Sequence, residues 1–500
     1  MEHVDVLVIG AGISGIGAGY HLQDQAPDRS FLILEGRSDL GGTWDLFRYP
    51  GVRSDSDMHT LGFEFKPWTD EKAIADGPSI LAYLRETVQE YDLARRIRFN
   101  HHITRANWRS ENSRWHISGY RTDAGDDIEI TASYLYMCAG YYSYKEGYVP
   151  DFPGRDRFSG AIIHPQQWPE QLNYADKRVI VIGSGATAVT IVPAIASASA
   201  HTTMLQRSPT YMAVGPSIDQ TARRLRRFLP GRLAYRLTRW KNIQRSALIY
   251  RRSISDPDKV KKLLLDAVTE ALPEGYDVDT HFTPNYNPWD QRLCLVPDND
   301  FFNAVNQGKA SVVTDEIESF TETGIKLKSG EHLDADIIIT ATGLRMVALG
   351  EVDFSVDGTP VDFSTRWTYK GMAYSGLPNL ASCFGYINAS WTLRADLTSK
   401  WVARVLNHMR ATETSVVTPE LRESDTDMAQ RPWVDGFSSG YMQRTMHEFP
   451  RQGDRDPWLN TQDYLTEKKL IGNAKLEDGV LTFSTVATPA PLSSNRSGPT

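Results

Sequence analysis

The chain opens on an apolar run, Val4 to Ile9, broken only by Asp5. A run of that length without alternation predicts a strand buried on both faces, as in a parallel sheet. Ile13 to Leu22 carries small residues at helical spacing, and Phe31–Glu35 is a second apolar run that ends on a carboxylate. Strand, helix and strand in that order predict a right-handed βαβ unit. The pattern returns at Arg178–Ile182 and His201–Gln206, and two further buried strands are expected at Tyr134–Gly140 and Ile337–Ala341. Ser79–Arg96 reads as an amphipathic helix, and Ser399–Arg410 as a further helix. A longer helical stretch, about Ser217 to Leu272, is basic and interrupted at Pro230-Gly231.

Two segments break the pattern in a way that marks domain crossings. Tyr141–Gly154 is rich in Gly, Pro and Tyr, and Ala341-Thr342-Gly343 closes a buried strand. The fold class expected is therefore α/β, with two dinucleotide-binding (Rossmann-like) domains, one interrupting the other. Residues 1–142 and 342–483 form the interrupted domain. Residues 143–341 form the inserted domain, which itself carries a helical insert at about 217–272. The Ser/Pro/Thr-rich segment 484–500 reads as a disordered tail.

Composition removes several classes of function. A net charge of −8 over 500 residues argues against a nucleic-acid binder. Cys138, Cys294 and Cys383 lie far apart and form no CxxC, which excludes a disulfide-reductase motif and a structural zinc site. Met1-Glu2-His3 leads straight into a strand with no basic leader, and no apolar run reaches membrane-spanning length. A cytoplasmic location is expected.

The glycines carry the chemistry. Gly10, Gly12 and Gly15 follow the first strand and open a helix, the arrangement that brings a helix N-terminus to a pyrophosphate. Glu35, twenty residues beyond Gly15, suits the ribose hydroxyls of an adenosine and repels a 2′-phosphate, so this turn prefers FAD or NAD. Ser14, the stretch Gly42-Thr43-Trp44-Asp45-Leu46, and the backbone of Ile103 are further candidate contacts. Gly183-Ser184-Gly185-Ala186-Thr187-Ala188, followed by Val189, repeats the turn after a second strand. There the next strand ends not on an acid but on Gln206-Arg207-Ser208. A guanidinium and a hydroxyl suit a 2′-phosphate, which marks NADPH. Two such turns in one chain bring two dinucleotides together, so that hydride can pass from a nicotinamide to a flavin.

Just before the second turn stands Phe158-x-Gly160-x3-His164-x3-Trp168-Pro169. This segment resembles the fingerprint of type I Baeyer–Villiger monooxygenases. The stretches Gly41–Trp44, Arg48–Asp55 and Asn388–Trp391 are also similar to that family, and the likeness covers about residues 4–480. Asp45–Arg48 and Asn287–Arg292 resemble its ethionamide-activating branch. The resemblance implies an FAD domain interrupted by an NADPH domain, reduction of FAD by NADPH, and addition of O2 to give a C4a-peroxyflavin. That species would oxidise a small apolar ketone to an ester or lactone, or oxidise a sulfide or thiocarbonyl. It further implies that Arg292 is the catalytic arginine, that Asp55 orients it, and that Arg53, Ser54 and Asp55 lie near NADP. The family often has Lys before that arginine, where this chain has Gln291, so phosphate recognition leans on Arg207 and Ser208. His164 is expected to act as a hinge and Trp168 as an anchor. Two alternatives stay open: an S/N-oxidising flavin monooxygenase without ketone activity, and a non-catalytic flavin redox sensor. The basic helical insert reads either as a solvated cover over the substrate entrance or as a peripheral membrane contact. Oligomeric state is not legible.

Overall fold

A computed structural model describes residues 1–485 of the chain, so all but the first two residues of the expected tail at 484–500 lie outside the described residues. The chain starts as expected with β1 (Glu2–Ile9), α1 (Ile13–Gln25) and β2 (Phe31–Leu34). Helix α2 (Gly77–Glu90) begins where the Asp76 carboxylate accepts the Ser79 N–H at 2.8 Å. It stops short of the expected Arg96, because Asp92 turns the backbone left-handed at φ 52°. Strands β3 (Ile97–Arg98), β4 (His101–Arg109), β5 (Arg114–Arg121) and β6 (Asp127–Met137) follow. Strand β6 starts earlier than expected, and Cys138-Ala139-Gly140 leave the sheet as a loop rather than ending the strand.

The middle of the chain contains β7 (Tyr142–Gly147), β8 (Ala161–Ile163), β9 (Arg178–Ile182), α3 (Ala186–Ala196) and β10 (His201–Gln206). Next come α4 (Gln220–Phe228), α5 (Gly231–Ser255) and α6 (Pro257–Ala271), then β11 (Ala310–Thr314) and β12 (Ile337–Thr340). The final part adds β13 (Leu344–Met346), β14 (Asp353–Val356), β15 (Thr359–Pro360), β16 (Leu380–Ser382) and α7 (Trp391–Ala411). Helix α7 begins eight residues before the expected Ser399. Its first turns carry Arg394 and Asp396, both buried, and those charges mask the apolar period.

Two main sheets result. The larger has nine strands in the order β15-β14-β4-β5-β6-β1-β2-β3, with β16 pairing on β6. It is mixed: β1, β2, β3 and β6 run parallel, while β4-β5-β6 form an antiparallel meander. The smaller is wholly parallel, in the order β11-β10-β9-β12-β8. Between them the two crossings lie side by side, because β7 pairs antiparallel with β13 and the Tyr148 N–H donates to Gly343 O at 2.9 Å. The expected boundaries at 142/143 and 341/342 fall at the start of β7 and just after β12.

His164 sits against both crossings. Its Nε2 lies 3.3 Å from Gly343 O, and its Nδ1 accepts the Gln166 N–H at 3.2 Å. A Cβ on Gly147 would fall 1.9 Å from the imidazole, so only glycine lets the first crossing pass the ring. Burial lowers the imidazole's proton affinity. The neutral tautomer then donates from Nε2 to Gly343 O and accepts the Gln166 N–H at Nδ1.

The helical insert breaks twice, at Pro230-Gly231 as expected and again at Asp256-Pro257. Although it leaves from the smaller sheet's domain, it packs on the first part of the chain. Buried Arg239 donates to the carbonyls of His59, Thr60 and Gly62, Tyr235 to Phe63 O, and Arg226 to Trp68, Thr69 and Asp70. Asp219 ties the start of α4 to the middle of α5. Its carboxylate caps α4 by accepting the Thr221 and Ala222 N–H groups, and it pairs with Lys241 Nζ at 2.8 Å. Burial alone would raise its pKa, but Lys241, the Ala222 N–H and the Asn242 amide outweigh that and bring it to about 2. An aspartate lowered from its unfolded value of about 3.9 stabilises the fold above that pH, and the contribution is lost as pH falls through about 2. Asp219→Ala is therefore expected to loosen α4 and α5 by about 1–2 kcal/mol at neutral pH. Faster amide exchange in residues 220–245 would register this, and the gap from the parent should close as the pH is lowered toward 2. An unchanged exchange rate at pH 7 would remove the cap from this role.

Candidate active site

A cleft of about 1500 Å³ runs between the two sheets, and both glycine turns open onto it. The first turn is dictated by contact distances. Gly10 has φ 103°, and a Cβ on Gly15 would fall 1.8 Å from Gly10 O, so the helix can approach the strand only with glycine there. Glu35 closes this end. It is buried, accepts the Ala11 N–H at 2.8 Å on Oε2 and the Arg37 N–H at 2.9 Å on Oε1, and borders the cleft. Burial raises its pKa, and the two N–H groups and the Arg37 guanidinium oppose that rise. Ser14 Oγ accepts the Trp391 indole N–H at 2.7 Å, which ties the start of α7 to the first turn. Thr43 Oγ1 lies 2.6 Å from the Tyr142 hydroxyl.

The second turn repeats the geometry, with Gly183 at φ 131° under Ala341 O. Ser184 Oγ donates to Ser208 O at 3.1 Å, which holds the end of β10 beside the turn. Gln206 points the other way, into the core, and bonds to His281 O and Thr314. Arg207 and Ser208 therefore face the cleft, and Arg207 makes no ion pair among the described residues. Arg53 spans from the first domain to Asp300, yet its buried Nη2 has no hydrogen-bond partner.

Arg292 and Asp55 stand where the two halves meet. Arg292 Nε lies 3.6 Å from Asp55 Oδ2, and both side chains remain about a third or more exposed to the cleft (34% and 44%). Burial works against the guanidinium's charge, but the Asp55 carboxylate and the phenols of Tyr441 and Tyr141 more than offset it and raise its pKa. The cation is thus permanent, paired with Asp55 and flanked by two phenols from other segments of the chain.

Most of the expected cofactor contacts do line this cleft: Gly10, Gly12, Ser14, Glu35, Gly42–Trp44, Arg53, Asp55, Ile103, Gly183–Thr187, Arg207 and Ser208. Six others stand behind its wall. Gly15 packs on Gly10, and Ala188 and Val189 belong to the smaller sheet's core. Ser54 Oγ accepts the Ala75 N–H at 3.2 Å. Asp45 is buried between Arg37 and Arg48, and Leu46 ends the short turn after Gly42. Sequence reasoning missed Tyr141 and Tyr441. The aromatic cluster at Tyr141–Tyr148 carried a signal, but it read only as a connector.

The residues present fit two dinucleotides, by the glycine cradles, the half-satisfied Glu35 carboxylate, and the unpartnered Arg207 and Arg53 Nη2 groups. The fold and cleft thus define a flavoprotein oxidoreductase with two dinucleotide sites. Residues 7–280 match the pyridine nucleotide-disulphide oxidoreductase family. With three free cysteines and no CxxC, the match reports the paired nucleotide fold rather than disulfide chemistry. The chain is 51% identical over 494 residues to the FAD-containing monooxygenase EthA of Mycobacterium tuberculosis, covering 98% of this chain and 99% of that one. It is 48% identical over 484 residues to the probable FAD-binding monooxygenase AlmA of Acinetobacter baylyi, covering 96% of each. Among solved structures, an oxidised steroid monooxygenase bound to NADP superposes with a TM-score of 0.77 at 24% identity, over 97% of this chain and 100% of that one. A cyclohexanone monooxygenase bound to ε-caprolactone gives a TM-score of 0.76 at 19% identity, over 97% and 100%. The chain belongs to the family of FAD-containing monooxygenases, with the fold of the Baeyer–Villiger enzymes. It is an enzyme whose cofactors are FAD and NADP(H).

Proposed function

We propose that this monooxygenase takes its electrons from NADPH and inserts one oxygen atom of O2 into small apolar ketones, giving esters or lactones. The same site would oxidise sulfides and thiocarbonyls at sulfur. One observation carries the reading: a permanently cationic, preoriented Arg292 in a cleft shared by both glycine turns. When bound, FAD supplies hydride acceptance and oxygen activation. The chain's own residues then do the following. The first turn and Glu35 hold the FAD adenosine and pyrophosphate, with residues 1–142 and 342–483 as its domain. The second turn, Arg207 and Ser208 hold NADPH on residues 143–341. Arg292 offers positive charge without a transferable proton, so negative charge developing on oxygen is stabilised and not quenched. Asp55 keeps the guanidinium aimed across the cleft. Trp289, Leu293, Leu295, Ile218 and Ile249 give part of the cleft an apolar wall, which supports an apolar substrate.

Incubating the holoenzyme with NADPH, air and, in turn, a cyclic ketone, an aryl ketone and a thioether tests this directly. Ester or lactone in the product supports the proposal. Sulfoxide alone would move the protein to the S/N-oxidising class, and no acceptor-dependent consumption of NADPH and O2 with any of the three would overturn the proposed substrate classes.

Cofactor choice has its own test. Charged hydrogen bonds contribute about 1.5–3 kcal/mol each. Arg207→Ala is therefore expected to raise KM for NADPH roughly 10- to 100-fold and to change KM for NADH little. Equal losses with both would take Arg207 out of phosphate recognition.

A further inference from the structure

The helical insert presents a surface unlike the rest of the molecule. Eight of the eleven large hydrophobic side chains that stand exposed among the described residues belong to it. Residues 217–272 also hold fourteen Lys and Arg against five Asp and Glu, while the whole chain carries a net −8. The basic charge is therefore gathered on one element of an otherwise acidic protein.

The exposed apolar groups are ordered. At about 100° per residue, Leu233, Leu237, Trp240, Leu248 and Ile254 fall within about 60° either side of one direction along α5. They share one side of the helix, interrupted by exposed Gln244 and by Arg251, which pairs with Asp463, and Trp240 is 64% exposed. Phe228, 78% exposed, ends α4 next to it. Arg232, Arg236 and Arg252 are exposed beside the stripe, and Arg224 is exposed on α4. None of these four makes an ion pair among the described residues, whereas Arg226, Arg239 and Lys241 are consumed by the structure. The opposite face of α5 carries Asn242, Arg245, Ser246 and Ile249, which line the same cleft as Arg292. One helix thus has an outer apolar stripe flanked by free cations and an inner face on the active-site cleft.

We propose that this insert docks the enzyme on an anionic phospholipid surface, with the stripe of α5 and Phe228 in the interfacial layer and the free arginines on the headgroups. This goes beyond the reaction proposed above and does not depend on it. Charge complementarity selects the occupant. A stripe of Leu, Trp and Phe flanked by unpaired arginines matches an interfacial helix, and anionic headgroups are the partner that satisfies both parts. Among the described residues no helix is long and apolar enough to cross a membrane, so the contact lies on the surface. Its consequence is proximity: a single helix, α5, would lie between the cleft and the layer in which apolar substrates concentrate.

Flotation of the FAD-loaded full chain with vesicles of equal phosphatidylglycerol and phosphatidylcholine, against pure phosphatidylcholine, tests the proposal. Binding is expected to the anionic vesicles only, weakening about tenfold or more from low to high salt. The double variant Phe228→Glu/Trp240→Glu should weaken it about tenfold at low salt. The triple variant Arg224→Gln/Arg232→Gln/Arg236→Gln should weaken it and flatten the salt dependence. All of these forms should oxidise a water-soluble acceptor at the parent rate, which shows that they are folded. Absence of flotation at low salt would overturn the proposal, as would flotation unchanged in both variants. So would a parent that sediments as a dimer, converts to monomer on Trp240→Glu, and fails to bind vesicles, since the stripe would then belong to a second copy.

Discussion

Arg292→Ala is expected to leave a yellow protein that NADPH still reduces but that forms almost no oxygenated product. The argument is electrostatic. The guanidinium pairs with Asp55 beside Tyr441 and Tyr141, at the junction of the two halves. Its removal leaves both cofactor cradles intact and takes away the preorganised charge. Removing one such donor typically costs about 10²–10³ in rate. Product formation should fall by that factor, while NADPH consumption continues and reducing equivalents appear as hydrogen peroxide. Arg292→Lys should recover little, because a flexible ammonium does not reproduce the planar guanidinium that pairs with Asp55. The measurement is product and peroxide yield per NADPH consumed, with the flavin spectrum as a check on cofactor content. Product yield within a few-fold of the parent would remove Arg292 from oxygen chemistry.

The second large effect separates fold from ligand at the first turn. A Cβ on Gly15 would lie 1.8 Å from Gly10 O, so Gly15→Ala must push α1 off β1 and disturb its packing on α7. A Cβ on Gly12 meets nothing closer than 3.6 Å, an ordinary contact. Gly12→Ala should therefore fold as the parent does and fail only when a pyrophosphate must approach the backbone. Both variants are expected to be purified nearly colourless. The difference lies in their stability as FAD-free proteins: Gly12→Ala should match the FAD-stripped parent in thermal unfolding, and Gly15→Ala should unfold earlier. Full flavin occupancy in Gly12→Ala would show that the pyrophosphate does not bind at this turn.

The contrast between these two glycines shows which parts of the molecule could be read in advance. Each glycine turn is a local device: strand, tight turn and helix start lie within a dozen residues, and Glu35 follows at the fixed distance of one βα unit. Chemistry confined to one βαβ unit is written contiguously, so both turns and the contrast between Glu35 and Arg207 were visible. The helix at 391–411 was only half visible. Its first turns bury Arg394 against Glu467 and Asp396 against His21, partners far away in sequence, and charges at core positions erase the apolar period. The insert was visible as basic helix, but its attachment to residues 57–73 was not, because buried Arg239 meets that segment through the backbone carbonyls of His59, Thr60 and Gly62, which have no residue signature, and its ion pair goes to Asp396, far away in sequence.

Local sequence alone determined the two glycine turns, the strand and helix that flank each, and the side chains that follow them, Glu35 after the first and Arg207 after the second, since backbone sterics and strand-helix periodicity act within a few neighbouring residues. The tertiary structure alone decided that Tyr141 and Tyr441 converge on Arg292, that β7 and β13 pair beneath His164, and that one face of α5 lines the cleft while the other stands in solvent. Those facts depend on the packing of segments hundreds of residues apart, and no short-range pattern along the chain encodes which surfaces meet.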